Sequence, residues 1–445
     1  MRTGRRSPAL RTSSASPPAD SATTTRHSST RIVLVTASAP TRASLRAPGV
    51  VLFLAFVDVF ALLPTVAPHI ASLGAGAAGI GLAVGAYSAA NLPANIIGGI
   101  LVDRHGRRIV AIVGLVAAAA TVAAYSLAVS VTGFILVRLL HGVAGGILVP
   151  AVFAAAGDRA RRGAEGRAFG RLGAVIGAAA VLAPATAGIV RQTAGTDAVF
   201  LGVAAMLLVG AAVAFFGVHD QPAAAPSTRV ERAAHPRAIR ALLQVAPIRR
   251  ALAGTVVLTA AVGVLAGFLP GTAEALGAPA SAVGGLFTAY AIVAAGLMLS
   301  PVAGRVDRSG ADVPMALGLV TIGAAMLLLS VAPSLGVAVA GSALFGAGYG
   351  LIFPAVTAAT SSSSTVATRG RAFGLFNVAF SLGLAVGTPL IGALADAVPT
   401  LDPFVPTAAL AVGAGIAIAL VARRSPGTER VDEVLEELGE PPVGP

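Results

Sequence analysis

The chain has 445 residues, 56% of them hydrophobic and only 11% charged, with a formal net charge of +12. A soluble globular protein carries about 25% charged residues, so this chain has too little polar surface to clothe a water-soluble body. Its mean hydropathy is +0.85. It has no cysteine, which excludes disulfides and thiolate metal sites, and none of the 6 histidines stands at a metal-ligand spacing such as HExxH. No metal and no cofactor is therefore expected. The excess of arginine does not point to nucleic acid, because the arginines sit in short loops and tails rather than on a soluble basic face.

Residues 1–47 are rich in Ser, Thr, Pro and Arg and read as a disordered cytoplasmic tail. Twelve apolar blocks follow, at 49–71, 77–101, 109–129, 133–156, 168–190, 198–218, 250–270, 280–303, 313–332, 336–358, 371–395 and 404–422. Each is long enough to cross a hydrocarbon core of about 30 Å as a helix. Lipid cannot satisfy open backbone groups, so the expected fold is an all-α membrane protein of twelve transmembrane helices. Residues 218–249 read as a central cytoplasmic loop and 423–445 as a second cytoplasmic tail.

Orientation follows from the arginines. Arg104, Arg107 and Arg108 follow block two, Arg159, Arg161, Arg162 and Arg167 follow block four, and Arg305, Arg308, Arg369 and Arg371 occupy later even-numbered loops. The central loop adds Arg229, Arg232, Arg237, Arg240, Arg249 and Arg250, whereas the odd-numbered loops hold essentially Arg191 beside acids such as Asp197, Glu274, Asp396 and Asp402. Positive charge stays inside. Both termini are then cytoplasmic, and the expected location is the inner membrane of a cell.

An internal repeat runs at one offset. Asp103-Arg104 and Gly106 recur 204 positions later as Asp307-Arg308 and Gly310, and Gly142, Gly146 and Pro150 recur as Gly346, Gly350 and Pro354. The string Gly166-Arg167-Ala168-Phe169-Gly170 recurs letter for letter as Gly370-Arg371-Ala372-Phe373-Gly374. The chain thus reads as two pseudosymmetric six-helix halves, 49–217 and 250–422, with any substrate site near the midplane between them.

The segment from Gly98 to Arg108, GGILVDRHGRR, resembles the loop signature of the major facilitator superfamily, in its place between helices two and three. Arg138-Leu139-Leu140-His141-Gly142 with Gly145 resembles that family's helix-four pattern, and Leu62 to Pro68, LLPTVAP, is similar to the end of helix one in twelve-helix drug–proton antiporters. Asp58 resembles the helix-one acid of some antiporters, one turn further from the prolines. One departure stands out: the glycine-rich antiporter signature of helix five is replaced around Pro184 by Ala179, Ala183, Ala187 and Gly188. The resemblance implies a small-molecule transporter, and places Asp103 against the start of helix eleven near Gly370–Phe373. By pseudosymmetry Asp307 meets Gly166–Phe169. These contacts would form a cytoplasmic gate of Asp103, Arg104, Gly106, Arg107, Arg108, Asp158, Asp307, Arg308 and Arg371, with Arg107 or Arg108 pairing Asp158.

Ionisable residues inside a span are functional candidates by default. Asp58 is about nine residues, or roughly 13 Å, into the first span. Arg138 and His141 lie one turn apart in the fourth. These three are the candidates for proton coupling. Against them stand a structural acid, an interhelical strut and a satisfied interior histidine. Tyr87, Asn91 and Asn95 fall on one helix face and Asn377 on helix eleven; they line the cavity or serve as interhelical hydrogen-bond glue. The sequence has no nucleophile–base pair or GxSxG elbow, so no enzyme is expected. The expected function is secondary transport by alternating access: proton-coupled export of a hydrophobic or amphipathic molecule by a monomer in the lipid bilayer. An uptake symporter of the same fold and a non-transporting sensor remain open alternatives.

Overall fold

The computed structural model describes residues 46–157, 165–220, 236–300, 310–365 and 368–424, which form helices joined by short turns and no strand. The tails lie almost wholly outside that set, as do Asp158, Asp307 and Arg308. Spans 1 to 6 are Arg46–Ala61 with Val66–Ser72, Ala77–His105, Arg107–Ala124, Val131–Gly157, Glu165–Ala194 and Thr196–Gly217. Spans 7 to 10 are Ala246–Ala275, Ala280–Leu299, Asp312–Ser330 and Leu335–Ser362. Span 11 comprises Arg369–Leu382, a π turn at Gly383–Gly387 and Thr388–Ala397; span 12 is Phe404–Arg424. Eleven helices among these are each long and apolar enough to cross a membrane, and the bent pair of span 1 makes the twelfth.

Three features depart from the expectations. The first span is not continuous over 49–71 but bends by 42° between Ala61 and Val66. Pro64 has no N–H to give to the carbonyl four residues back, and turn bonds from Leu63 to Phe60 and from Thr65 to Leu62 replace the ladder. The central segment is not wholly a loop: Pro236–Gln244 is helical, and Ala241, Leu242, Val245 and Ile248 bury against Ala372 of span 11. Arg250, expected in that loop, is instead buried inside span 7 and gives two hydrogen bonds, of 2.8 and 3.1 Å, to the Asp312 carboxylate.

Each half packs its own hydrophobic core. The repeat has a structural meaning at Gly106 and Gly310. Both hold positive φ, +85° and +76°, where the chain turns from one span into the next, a conformation open to glycine and strained for other residues. Gly142 and Gly346 also correspond: a Cβ on the first would collide with the Tyr87 carbonyl, and on the second with the Tyr290 carbonyl. In each half they let the second and fourth helices cross backbone to backbone.

The hydrogen bond from the Arg108 N–H to the Asp220 carboxylate, 3.0 Å, puts the start of span 3 and the end of span 6 on one side, the terminal face. The opposite, far face carries the ends of spans 1, 5, 7 and 11. Hydrogen bonds between described residues of the two halves cluster toward that far face, where Asp396 meets Ala77 and Ala78, Arg191 meets Glu274 and Gln192 meets Ser281.

Candidate functional site

Asp58 is 2% exposed, in the middle of the first half, and its Oδ2 lies 2.9 Å from Nε2 of the fully buried His141. The other ring nitrogen, Nδ1, lies 2.8 Å from the Tyr125 hydroxyl. Arg138 gives a hydrogen bond of 3.3 Å to that hydroxyl and one of 3.1 Å to the Ala83 carbonyl. With the imidazole neutral, every donor points the same way: Arg138 to Tyr125, Tyr125 to His141, His141 to Asp58. One cation and one anion then balance within a buried chain, which is how a low-dielectric interior tolerates charge. Asp58 Oδ1 is buried and accepts no hydrogen bond from the described residues.

Spans 1 and 4 supply Asp58 and the Arg138–His141 pair, and the end of span 3 supplies Tyr125. Rings hold the chain in place. Tyr87 packs edge-on to His141 at 5.0 Å between centroids, the Arg138 guanidinium lies 5.0 Å from the Tyr87 ring centre, and Tyr125 stacks on Phe134 at 4.7 Å. Tyr125 escaped the sequence reading. It sits alone among alanines and leucines at the end of an apolar block, and only its position in space shows its role. The chain has just 4 tyrosines, and two of them touch this network, a bias that was visible.

The polar stripe on span 2 divides. Tyr87 belongs to the buried network. Asn95 gives hydrogen bonds to the Asn91 carbonyl and side-chain oxygen, at 3.0 and 2.6 Å, and Asn91 gives one to the Gly142 carbonyl, 3.3 Å. The Asn91 amide ties span 2 to span 4, while the Asn95 amide bonds within span 2. Asn377 is exposed on span 11 and makes no side-chain hydrogen bond among the described residues.

At the terminal face Asp103 is exposed, and no hydrogen bond or ion pair joins it to the described residues of span 11. The expected contact presumes that the halves meet at this face, whereas the seam between described residues lies at the other. Arg104 is exposed beside it. The Arg108 guanidinium lies 4.6 Å from the Phe215 ring centre, while Arg107 and Arg371 are half-buried at the starts of spans 3 and 11. A carboxylate from the chain after span 6, Asp220, occupies the N-terminus of span 3 and approaches Gly106 so closely that a Cβ there would lie 2.7 Å from it.

Two overlapping stretches, 49–261 and 251–444, match the family model described as Major Facilitator Superfamily. The chain belongs to the Major Facilitator Superfamily. Among similar proteins are multidrug resistance protein 1 of Bacillus subtilis, 32% identical over 155 residues, and the quinolone resistance protein NorA of Staphylococcus aureus, 22% identical over 141 residues. These matches cover 34% and 32% of this chain, and span only 39% and 36% of those relatives' length. Similar solved structures include a bacterial homolog of the human lysosomal transporter Spinster in an inward-facing, unoccupied conformation, with a TM-score of 0.71, 16% identity and coverage of 87% of this chain and 96% of that one. The nucleoside transporter NupG gives a TM-score of 0.71 at 14% identity, covering 85% of this chain and 98% of its own. At such identities the likeness is one of fold. Membership of the superfamily agrees with a multi-pass membrane protein built from these spans.

The two halves of this superfamily fold are unlike in chemistry. The positions 204 residues beyond Asp58, Tyr125, Arg138 and His141 hold Val262, Leu329, Ser342 and Phe345. The second half carries instead a run of rings: Tyr290 on Tyr349 at 5.6 Å, Tyr349 stacked on Phe353 at 5.4 Å, Phe353 against Phe376 at 6.2 Å, and Phe373 and Phe380 on either side of Phe376. The sequence reading assigned none of these rings to a cavity, because aromatic side chains inside apolar spans look the same whether they fill a core or a wall.

Proposed function

We propose that this transporter is a proton-coupled exporter of hydrophobic or amphipathic small molecules. It resides in a bacterial inner membrane with both termini in the cytoplasm, works as a monomer, and alternates access by rocking its two halves about a central site. The observation that carries the reading is the buried chain from Arg138 through Tyr125 and His141 to Asp58, present in one half and replaced by apolar or small residues in the other. A proton carrier needs a carboxylate shielded from bulk water with an acceptor position open. Asp58 Oδ1 offers one, and a proton can bind there without displacing His141 from Oδ2. Protonation leaves Arg138 as an unbalanced cation in the half-core, so the two protonation states favour different arrangements of span 1 against span 4.

The substrate class is supported by the partly exposed rings of Tyr290, Tyr349, Phe353, Phe373 and Phe380 in the second half and by Asn377, an exposed amide in an apolar span, which fits a water-filled cavity better than lipid. The resistance proteins among the relatives point the same way. Arginine placement supports the orientation, and a seam at the far face fits a state open to the cytoplasm.

The test is flux of a fluorescent amphipathic dye in proteoliposomes under an imposed pH gradient. Asp58→Asn should bind dye and insert normally yet lose gradient-driven transport. Parental rates in that variant remove Asp58 as the proton carrier. Dye movement in the same direction as the proton identifies an uptake symporter, and binding without flux in the parent protein identifies a sensor.

A further inference from the structure

The far face is closed by two contacts that the repeat relates to each other. At the first, both oxygens of the Asp396 carboxylate, at the end of span 11, accept hydrogen bonds of 2.9 Å from the backbone N–H groups of Ala77 and Ala78, which open span 2. At the second, the Gln192 side-chain oxygen, at the end of span 5, accepts a hydrogen bond of 3.2 Å from the N–H of Ser281, which opens span 8. Asp396 lies 204 positions beyond Gln192, and Ser281 lies 204 beyond Ala77. That is the offset of the repeat. In each contact the last turn of a helix in one half caps the first turn of a helix in the other.

Caps of this kind have a clear physical basis. The first N–H groups of a helix have no intrahelical partner and carry the positive end of the helix dipole. At span 2 no side chain of the span's own N-cap, Gly76, can fill that role, and none does so at span 8, where the N-cap is Pro279. The partner half supplies the acceptor in both cases. Close backbone approach makes the reach short. A Cβ on Gly392 would collide with the Ala77 carbonyl, and one on Gly188, 204 positions earlier, would lie 2.6 Å from the Ala280 carbonyl. The Arg191 side chain adds a third tie, giving hydrogen bonds to the Glu274 carboxylate across the seam and to the Pro64 carbonyl in the break of span 1.

We propose that Asp396 and Gln192 are the paired far-face gate residues of the transport cycle. Their caps must break for the far side to open, and Asp396 is the stronger of the two. A charged acceptor bonded to two N–H groups at a helix N-terminus gains from the dipole, whereas a neutral amide bonded to one gains less. Asp103, by contrast, is free of any such contact with span 11 in the same structure, so the far-face caps form while the terminal-face one is absent.

The chain has no cysteine, so one spin-label pair reports the gate without background. The exposed Thr193 and Thr400 flank the seam from opposite halves; Thr193→Cys with Thr400→Cys, labelled and measured by pulsed dipolar spectroscopy in lipid nanodiscs, gives the far-face separation. Asp396→Ala should raise the ratio of the long-distance to the short-distance population by roughly three- to tenfold, and Gln192→Ala by roughly two- to threefold. Gln192→Glu, which installs the charged acceptor at the second cap, should shift the ratio the opposite way. The thermal stability of each purified variant separates gating from folding. If the distance distribution stays at the parental ratio in both Ala variants, or if only stability falls, the gate assignment is overturned. Should Asp396→Ala fail to fold, Gln192→Glu still decides: no shift toward the short population refutes the proposal. Because the distances are read without any proton gradient, they stand or fall independently of Asp58.

Discussion

His141 and Phe345 occupy equivalent places in the two halves, 204 positions apart, and both are fully buried, yet His141 holds a carboxylate and Phe345 packs against the ring of Tyr290. Asp58 has Val262 as its counterpart. The repeat builds one scaffold twice, and the buried chain from Arg138 to Asp58 occupies only one copy. The second half therefore supplies the residues for a direct experiment.

His141→Phe alone leaves the Asp58 carboxylate buried without its partner, and a loss of about 3–5 kcal/mol of stability is expected. Adding Asp58→Val and Arg138→Ser copies the second half's residues into the first and removes the anion together with the cation that balances it. The triple variant should recover most of that loss, since apolar replacements of a buried pair are often neutral, while gradient-driven flux stays absent. Thermal unfolding of the two variants in detergent checks the first expectation and proteoliposome flux the second; a triple variant no more stable than His141→Phe would contradict the pairing.

Tyr125→Phe keeps the ring stacked on Phe134 and removes only the hydroxyl between Arg138 and His141. A stability cost of about 1–3 kcal/mol is expected, the penalty for leaving a buried partner unsatisfied. Its pH–rate profile for transport should shift relative to the parent. A changed rate with an unmoved profile would make the hydroxyl a packing element alone.

The two loop glycines separate backbone strain from collision. Gly106→Ala meets both, a positive φ and the Asp220 carboxylate, whereas a Cβ on Gly310 meets none of the described residues and only the strain remains. Each Ala substitution should cost about 1–3 kcal/mol from the backbone alone. The loss at Gly106 should exceed that at Gly310, and Gly106→Ala with Asp220→Ala should narrow the gap. Equal losses at both positions would show that the Asp220 approach carries no weight.

Asp402 closes the loop before span 12 and accepts a hydrogen bond of 2.8 Å from the Phe404 N–H. Burial pushes its carboxyl up, and that hydrogen bond opposes the shift. A carboxyl raised in the folded state binds more protons there than in the unfolded chain. Its contribution is therefore lost as pH rises through the carboxylate range toward the raised value. Asp402→Asn keeps the capping oxygen and removes the charge, so it should be neutral to slightly stabilising at pH 7 and should flatten the fall of stability as pH rises above the ordinary carboxylate value of about 4. Unfolding midpoints across that range check it; a clear destabilisation at pH 7 would show the charge itself to be needed.

Much of the architecture was legible in the sequence. Block length gave the number of spans, because lipid leaves a helix as the only way to satisfy the backbone. The offset between Asp103-Arg104-x-Gly106 and Asp307-Arg308-x-Gly310 revealed two halves, and those glycines persist because the turn they make needs a positive φ. Both are local facts, written in consecutive residues. The break of span 1 at Pro64 was nearly as local, since a proline inside an apolar block announces a lost hydrogen bond.

What the fold alone decided is how faces and partners are assigned. The spans are apolar all round, since a side chain turned to lipid and one turned to the core are equally hydrophobic, so no periodicity marks which face looks inward. Asp58 and His141 stand 83 residues apart, and nothing between them indicates that they meet. Asn91 and Asn95 read equally well as cavity or glue, and only the packing of span 2 on span 4 brings the Asn91 amide to the Gly142 carbonyl. Asp396 looked like one more acid in an outer loop; only the crossing of span 11 over span 2 brings its carboxylate to two free helix N–H groups. Secondary structure in lipid follows from the chain's own backbone and composition, whereas the pairing of polar groups depends on the register in which finished helices pack.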